Sequence, residues 1–170
     1  VGINIDGLTL GMKGSSLDVR VADDHAVSRR ISGDWVVFQF ESVGSLERIA
    51  YIHKQDGIVY VKGFIAGIPG FGLVSCGFIT QEVESTLGPP VKATTSQGRH
   101  FLLYEFGETT LRFESVDERI SAIEMFLKGN KYSDLLVRPI RAEASNILHL
   151  SSKPSEKDQD IVGPSLVESE

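Results

Sequence analysis

The sequence repeats itself at long range. Shifted by 66 residues, Gly11 meets Gly77, Met12 meets Phe78, Leu17 meets Val83, Asp18 meets Glu84 and Val21 meets Leu87. Residues 35–40 then lie over residues 101–106 as six consecutive matches of side-chain class. Beyond that point the shift shortens to 62, where Ile49 meets Leu111, Tyr51 meets Phe113, Ile58 meets Ile120 and Phe64 meets Phe126. The change of shift falls in 41–47, a turn that tolerates altered length. The period is longer than that of a solenoid, so the expectation is one supersecondary unit present twice.

The second copy shows what the unit is. Thr80 is placed to cap a helix through its hydroxyl, and Glu82 and Glu84 stand near the positive helix start. Val83 and Leu87, four apart, share a face, and Gly88-Pro89-Pro90 ends the helix. Residues 101–106 have strand composition, Gly107-Glu108 is a tight turn, and 109–115 alternates with Leu111 and Phe113 on one face. A turn at 116–118 leads to a last strand over 119–127. In the first copy, Ser15 or Ser16 caps a helix through about Ala22, followed by strands 27–31, 34–41, 47–54 and 57–64. The expected fold is therefore α+β: two tandem units of a helix plus an antiparallel meander, with the helices packed on one sheet face. Unit one covers 1–64, a glycine-rich linker 65–76, unit two 77–129, and a C-terminal extension 130–150. Residues 151–170 carry −3 of the net charge of −6, two prolines and few aliphatics, and read as a disordered acidic tail.

Residues 77–90, a glycine, a helix with an acidic-Val pair and a Leu-Gly-Pro-Pro stop, resemble the opening of the SmpA/OmlA and β-lactamase-inhibitor-protein-like repeats. Tyr104, Phe106, Leu111, Phe113 and Ile120 stand where those repeats carry their strand residues. Tandem copies also resemble the domain associated with bacterial CAP-type proteins. The resemblance spans about 7–128 and is weaker in the first copy, which lacks the Gly-x-Pro stop. It implies a bacterial origin, an exported or envelope setting and protein binding on a sheet surface. The motif is structural and carries no chemistry.

Composition bounds the function. A net charge of −6 argues against nucleic-acid binding, and no apolar run reaches the roughly 18 residues of a membrane span. Cys76 is the only thiol, so neither an internal disulfide nor a Cys-rich zinc site is available. A single cysteine fits the cytoplasm as well as an exported setting. The four histidines show no metal-ligand spacing, and Cys76 lacks a sequence-adjacent base, so it reads as a packed small residue. Gly70-x-Gly72-x₄-Gly77 lacks the Lys-Ser/Thr of a phosphate loop. Neither a catalytic residue nor a cofactor is indicated.

The candidate site lies on the strands. If Val36, Phe38, Phe40, Leu102, Tyr104 and Phe106 face the helices, then Trp35, Val37, Gln39, Phe101, Leu103 and Glu105 face away. Ala50, Ile52, Lys54, Arg112 and Glu114 are expected to join them. Aromatic and aliphatic residues mixed with paired charges have the composition of a protein interface, unless a further layer of the chain covers them. The expectation is a non-enzymatic protein-binding module, inhibitor-like or an envelope adaptor, with another protein as partner. The alternative is small-ligand binding at the junction of the two units, near 64–77.

Overall fold

The computed structural model describes residues 2–15, 26–43 and 46–128. The expected helix of the first unit, the extension 130–150 and the tail 151–170 lie outside the described residues. In chain order the elements are β1 (Asn4–Ile5), β2 (Ala26–Ser32), β3 (Trp35–Val43), β4 (Leu46–His53), β5 (Gly57–Gly63), β6 (Ile65–Ile68) and β7 (Gly72–Ser75). The helix α1 (Thr80–Leu87) follows, then β8 (Lys92–Ser96), β9 (Arg99–Phe106), β10 (Thr109–Val116) and β11 (Arg119–Leu127).

The described residues form two antiparallel sheets. The larger has the order β2-β3-β4-β5-β11-β10-β9-β8, two four-stranded meanders that join where β5 pairs with β11. The smaller has the order β1-β6-β7. The protein is thus mainly antiparallel β-sheet with one short helix among the described residues, which corrects the expected α+β pair of helix–meander repeats. Much of the difference comes from 65–76, expected as a linker. Ala66, Ile68 and Val74 alternate into the core, and the Phe71 N–H donates to the Ile68 carbonyl (2.9 Å) across Pro69-Gly70. Pro at the second position and a glycine with φ of +87° at the third make a type II turn, so the glycines close a hairpin.

The small sheet and α1 lie on the same face of the large sheet, and the core forms between them. Phe38, Ile52, Ile58, Leu102, Leu111, Phe113 and Met125 from the large sheet meet Ile5, Ile68, Val74, Val83 and Leu87. Each large side chain so buried contributes about 1.5–3 kcal/mol. Such burial holds an eight-residue helix that would be marginal alone. Val83 and Leu87 are the buried residues of α1, on the expected face. Its capping differs from expectation. Ile79 is the N-cap, its N–H donates to the Glu82 carboxylate (2.9 Å), and the Thr80 hydroxyl donates instead to the Glu118 carbonyl (3.3 Å). Gly88 ends the helix with φ of +85°, and the Tyr104 hydroxyl donates to its carbonyl (2.8 Å).

Asp6 locks the small sheet to the large one. Its carboxylate accepts the N–H groups of Phe64 (3.1 Å) and Ile65 (3.0 Å) and the Arg48 Nε–H (3.2 Å). Gly63 lies so close that a Cβ there would stand 2.3 Å from the Asp6 Oδ2.

Candidate functional site

Paired residues of an antiparallel ladder share a face, so the register assigns the helix-free face directly. Trp35 pairs with His53, Val37 with Tyr51 and Gln39 with Ile49, whereas Val36 pairs with Ile52. Ile52 therefore points into the core, and so does Ala50 opposite Phe38; both were expected outward. Lys54 lies past the end of β4, exposed, and lines a cleft of about 510 Å³ with Lys13, Asp34, Val36, Ile52 and Gln55. The other expected residues share the helix-free face: Leu103 pairs with Arg112, which pairs with Glu124, and Phe101 pairs with Glu114.

The centre of that face is an alternating row of charge. Arg112 donates to Glu124 (2.7 Å), Glu124 accepts from the Tyr60 hydroxyl, and Lys62, the β-ladder neighbour of Glu124, pairs with Glu47 (3.2 Å). Glu124 and Lys62 are buried, and Arg112 is largely so, which is tolerated because each charge has a partner of opposite sign. Burial alone would lower the Arg112 pKa, but the charge and hydrogen bond of Glu124 more than offset it, so the guanidinium is held protonated more firmly than usual. Burial first, then the Glu124 charge and hydrogen bond, push the Tyr60 hydroxyl well above its ordinary value. The Arg112 guanidinium also lies 5.2 Å from the centre of the Phe101 ring. Glu114 pairs with Arg99, and Glu105 pairs with Lys128 (3.1 Å).

An aromatic group stands on the β3 side. The Trp35 ring meets His53 at 5.2 Å and Tyr51 at 6.4 Å, and Tyr51 meets Tyr60 at 5.3 Å, all edge to face. Val37, Tyr51 and Tyr60 are buried. Trp35, Gln39, Phe101 and Leu103 are half-buried, and Glu105 is exposed. Trp35 and Phe101 thus share a face but not a patch. Five strand intervals separate β3 from β9, roughly 24 Å at the usual spacing. Tyr51, Tyr60, Lys62 and Glu124 are central to this face and were not among the expected residues. The phase of β4 and β5 hides them, although Tyr51 and Tyr60 are visible as aromatics in strand-like runs.

Cys76 is a free, part-buried thiol. Its Sγ lies 3.8 Å from the Gly63 carbonyl, and burial, then the Asp6 charge, raise the thiol to about 11, so it remains protonated at neutral pH. Among the described residues no group of three or more His, Cys, Asp or Glu is arranged to hold a metal. No described helix is long and apolar enough to cross a membrane. At the start of the junction near 64–77, the alternative ligand site, the Asp6 carboxylate accepts from Phe64, Ile65 and Arg48.

No family model and no curated protein matches the chain. Among solved structures it is similar to an extracellular protein containing an SCP domain from Bacillus anthracis, with 10% identity and a TM-score of 0.50, over 80% of this chain and 50% of that one. It is also similar to a DUF4309 family protein, YjgB, from Bacillus subtilis, with 20% identity and a TM-score of 0.49, over 72% of this chain and 84% of that one. A cysteine-rich secretory protein from Staphylococcus aureus aligns at 12% identity with a TM-score of 0.45, over 79% of this chain and 54% of that one. The chain spans half the length of the Bacillus anthracis protein, and the likeness to it is one of fold. In fold, the Bacillus anthracis neighbour agrees with the resemblance to the CAP-associated domain, whereas the SmpA/OmlA and β-lactamase-inhibitor-like resemblance gains no support.

Proposed function

We propose that the chain is a non-enzymatic protein-binding module that holds its partner on the helix-free face of the large sheet, as an inhibitor-like or envelope-adaptor domain. The observation that carries this reading is the arrangement of that face. Half-buried Trp35 and Gln39 stand on one side, half-buried Phe101 and Leu103 on the other, and the charge row of Arg112, Glu124 and Lys62 runs between them. A standard interface covers about 800 Å² per partner, enough to reach both sides at once. Aromatic anchors carry a disproportionate share of binding energy, and charge pairs between them set orientation. An exported setting is part of the proposal, supported by the extracellular description of the Bacillus anthracis protein.

A photo-crosslinking amino acid at position 35 or 101 identifies the partner. Trp35→Ala and Phe101→Ala are then measured for affinity, at a temperature where both remain folded. Each truncation is expected to weaken binding roughly thirtyfold, the equivalent of about 2 kcal/mol. Unchanged affinity in both folded variants removes this face from the interface.

A further inference from the structure

The last strand of the large sheet, β8, has a neighbour on one side only among the described residues, and all five of its residues are exposed. The turn that joins it to β9 fixes which of its backbone groups are open. Gln97 and Gly98 have φ of +54° and +79°, the pattern of a two-residue type I′ turn. That turn makes Ser96 and Arg99 a hydrogen-bonded pair, and the antiparallel alternation extends this to Thr94 with Phe101 and Lys92 with Leu103. The N–H and C=O groups of Ala93 and Thr95 therefore point away from β9, two donors and two acceptors in strand geometry. Their side chains sit on the α1 side of the sheet, opposite Leu102 and His100.

Beside this edge runs a cleft of about 430 Å³. It is walled by Thr80, Gln81 and Glu84 of α1, by Ala93 and Thr95 of β8, and by Glu118 of the β10–β11 turn. Among the described residues no lysine or arginine lines it. The carboxylates of Glu84 and Glu118 take part in no hydrogen bond or ion pair among the described residues, while other carboxylates of the fold, such as Asp6, Glu114 and Glu124, are paired. The open backbone calls for an extended segment, and the uncompensated carboxylates call for positive charge.

We propose that the groove between α1 and the free edge of β8 binds an extended, cationic peptide segment of another protein by β-strand addition. The segment pairs with Ala93 and Thr95 through its main chain. Every second side chain of an added strand points to the α1 side, so lysine or arginine at alternate positions meets Glu84 and Glu118. A second copy of this chain is disfavoured as occupant: each copy carries −6, and edge-to-edge pairing brings two acidic clefts together. This groove lies on the α1 side of the sheet, apart from the helix-free face, so it stands or falls independently of the function proposed above.

The probe is a rhodamine-labelled heptapeptide of alternating lysine and valine, capped at both ends and titrated against the full chain by fluorescence anisotropy. An alternating glutamate and valine peptide serves as the charge control. The expected result is saturable binding of the lysine peptide alone. Glu84→Gln combined with Glu118→Gln weakens it at least about tenfold and flattens its salt dependence. Ala93→Pro removes an outward N–H while leaving the β8–β9 ladder intact, and abolishes binding with little change in melting temperature. A lysine peptide N-methylated at alternate residues keeps its charge but cannot pair on the methylated edge, and is expected not to bind; this arm leaves the protein unaltered. Absence of saturable binding to the native chain overturns the proposal. So does equal binding of the N-methylated peptide, which marks attraction by charge alone. A dimer in sedimentation that Ala93→Pro dissolves identifies a second copy as the occupant and overturns the commitment to a separate partner.

Discussion

Ile58 and Ile120 make the same pair of backbone hydrogen bonds in the two halves of the large sheet. The Ile58 carbonyl accepts from the Gly11 N–H, and its own N–H donates to the Met12 carbonyl, both at 2.8 Å. Ile120 does the same with Gly77 and Phe78, again at 2.8 Å. In each half the chain before the meander is thereby tied to the start of its last strand, β5 or β11. Both isoleucines are buried in the core.

The tie in the first half leaves no room for a side chain at Gly57. A Cβ on Gly57 would stand 2.5 Å from the Met12 carbonyl oxygen and 2.7 Å from that of Gly11, at a φ of +78°. Gly57→Ala is therefore expected to cost about 2–4 kcal/mol, from contact and backbone strain together. Urea denaturation followed by Trp35 fluorescence measures it; a loss under about 1 kcal/mol means that the 11–12 segment yields easily.

Asp6 stabilises through its acceptors. Asp6→Ala leaves the N–H groups of Phe64 and Ile65 without their partner and deprives Arg48 of its carboxylate. An expected loss of about 2–4 kcal/mol follows from unsatisfied donors at a part-buried junction. Asp6→Asn keeps one acceptor oxygen and should recover part of it. Equal stability of the two variants in thermal melting would show that the backbone donors find other partners.

The charge row on the helix-free face predicts strong coupling. Removing one partner strands a buried charge, so Glu124→Gln and Arg112→Met are each expected to destabilise by about 2–4 kcal/mol. The double variant should lose much less than the sum. A double-mutant cycle checks this, and additive losses would mean that Arg112 and Glu124 act independently despite their 2.7 Å contact.

Cys76 makes stability fall at alkaline pH. Burial and Asp6 raise its pKa from 9.0 to about 11 in the folded chain. The folded state thus holds the proton more tightly than the unfolded state. The stabilisation is fully present below pH 9.0 and is lost as pH rises toward about 11. Tyr104, raised to about 12 by burial and then Glu84, extends the same trend upward. Denaturation at pH 8 and pH 10.5 should show the decline, and Cys76→Ala should reduce it. Fast alkylation of the native thiol at pH 7.5 contradicts a raised pKa.

The last three strands of the second half were legible almost to the residue because their turns are short and marked: Gly107-Glu108 and Asp117-Glu118 sit between runs of clear alternation, whereas β8 lies in a polar stretch with no such pattern. The shifted sequence also pairs Gly11 with Gly77, Met12 with Phe78 and Ile58 with Ile120, the residues that share the backbone ties. The face of β4 was not legible. Phe40 pairs with Arg48 eight positions on, while Phe106 pairs with Thr109 three positions on, so the connection in the first half is five residues longer. A reading with four instead of five slips β4 by one residue, which turns every side chain to the other face. That slip moved Ile52 outward and Tyr51 inward. The irregular pairing between Phe40 and Val43 absorbs the extra length, and bulges leave little trace in hydrophobic pattern. Residues 65–76 misled for another reason: a glycine-rich hairpin and a glycine-rich linker have the same composition, and β1, its distant partner, is only two residues long.

The junction of β5 with β11 has a consequence for how the chain reaches this structure. Within each meander the strands pair with sequence neighbours through short turns, contacts that close in microseconds. The junction pairs Gly63 with Ile123 and Tyr60 with Phe126, residues some sixty positions apart. Such non-local pairing carries most of the loop-closure entropy, so docking of the two meanders is expected to be the slow event of folding. Until it happens, β5 and β11 are open edges with apolar side chains, and the interval before docking is when one chain is most exposed to pairing with the wrong meander of another.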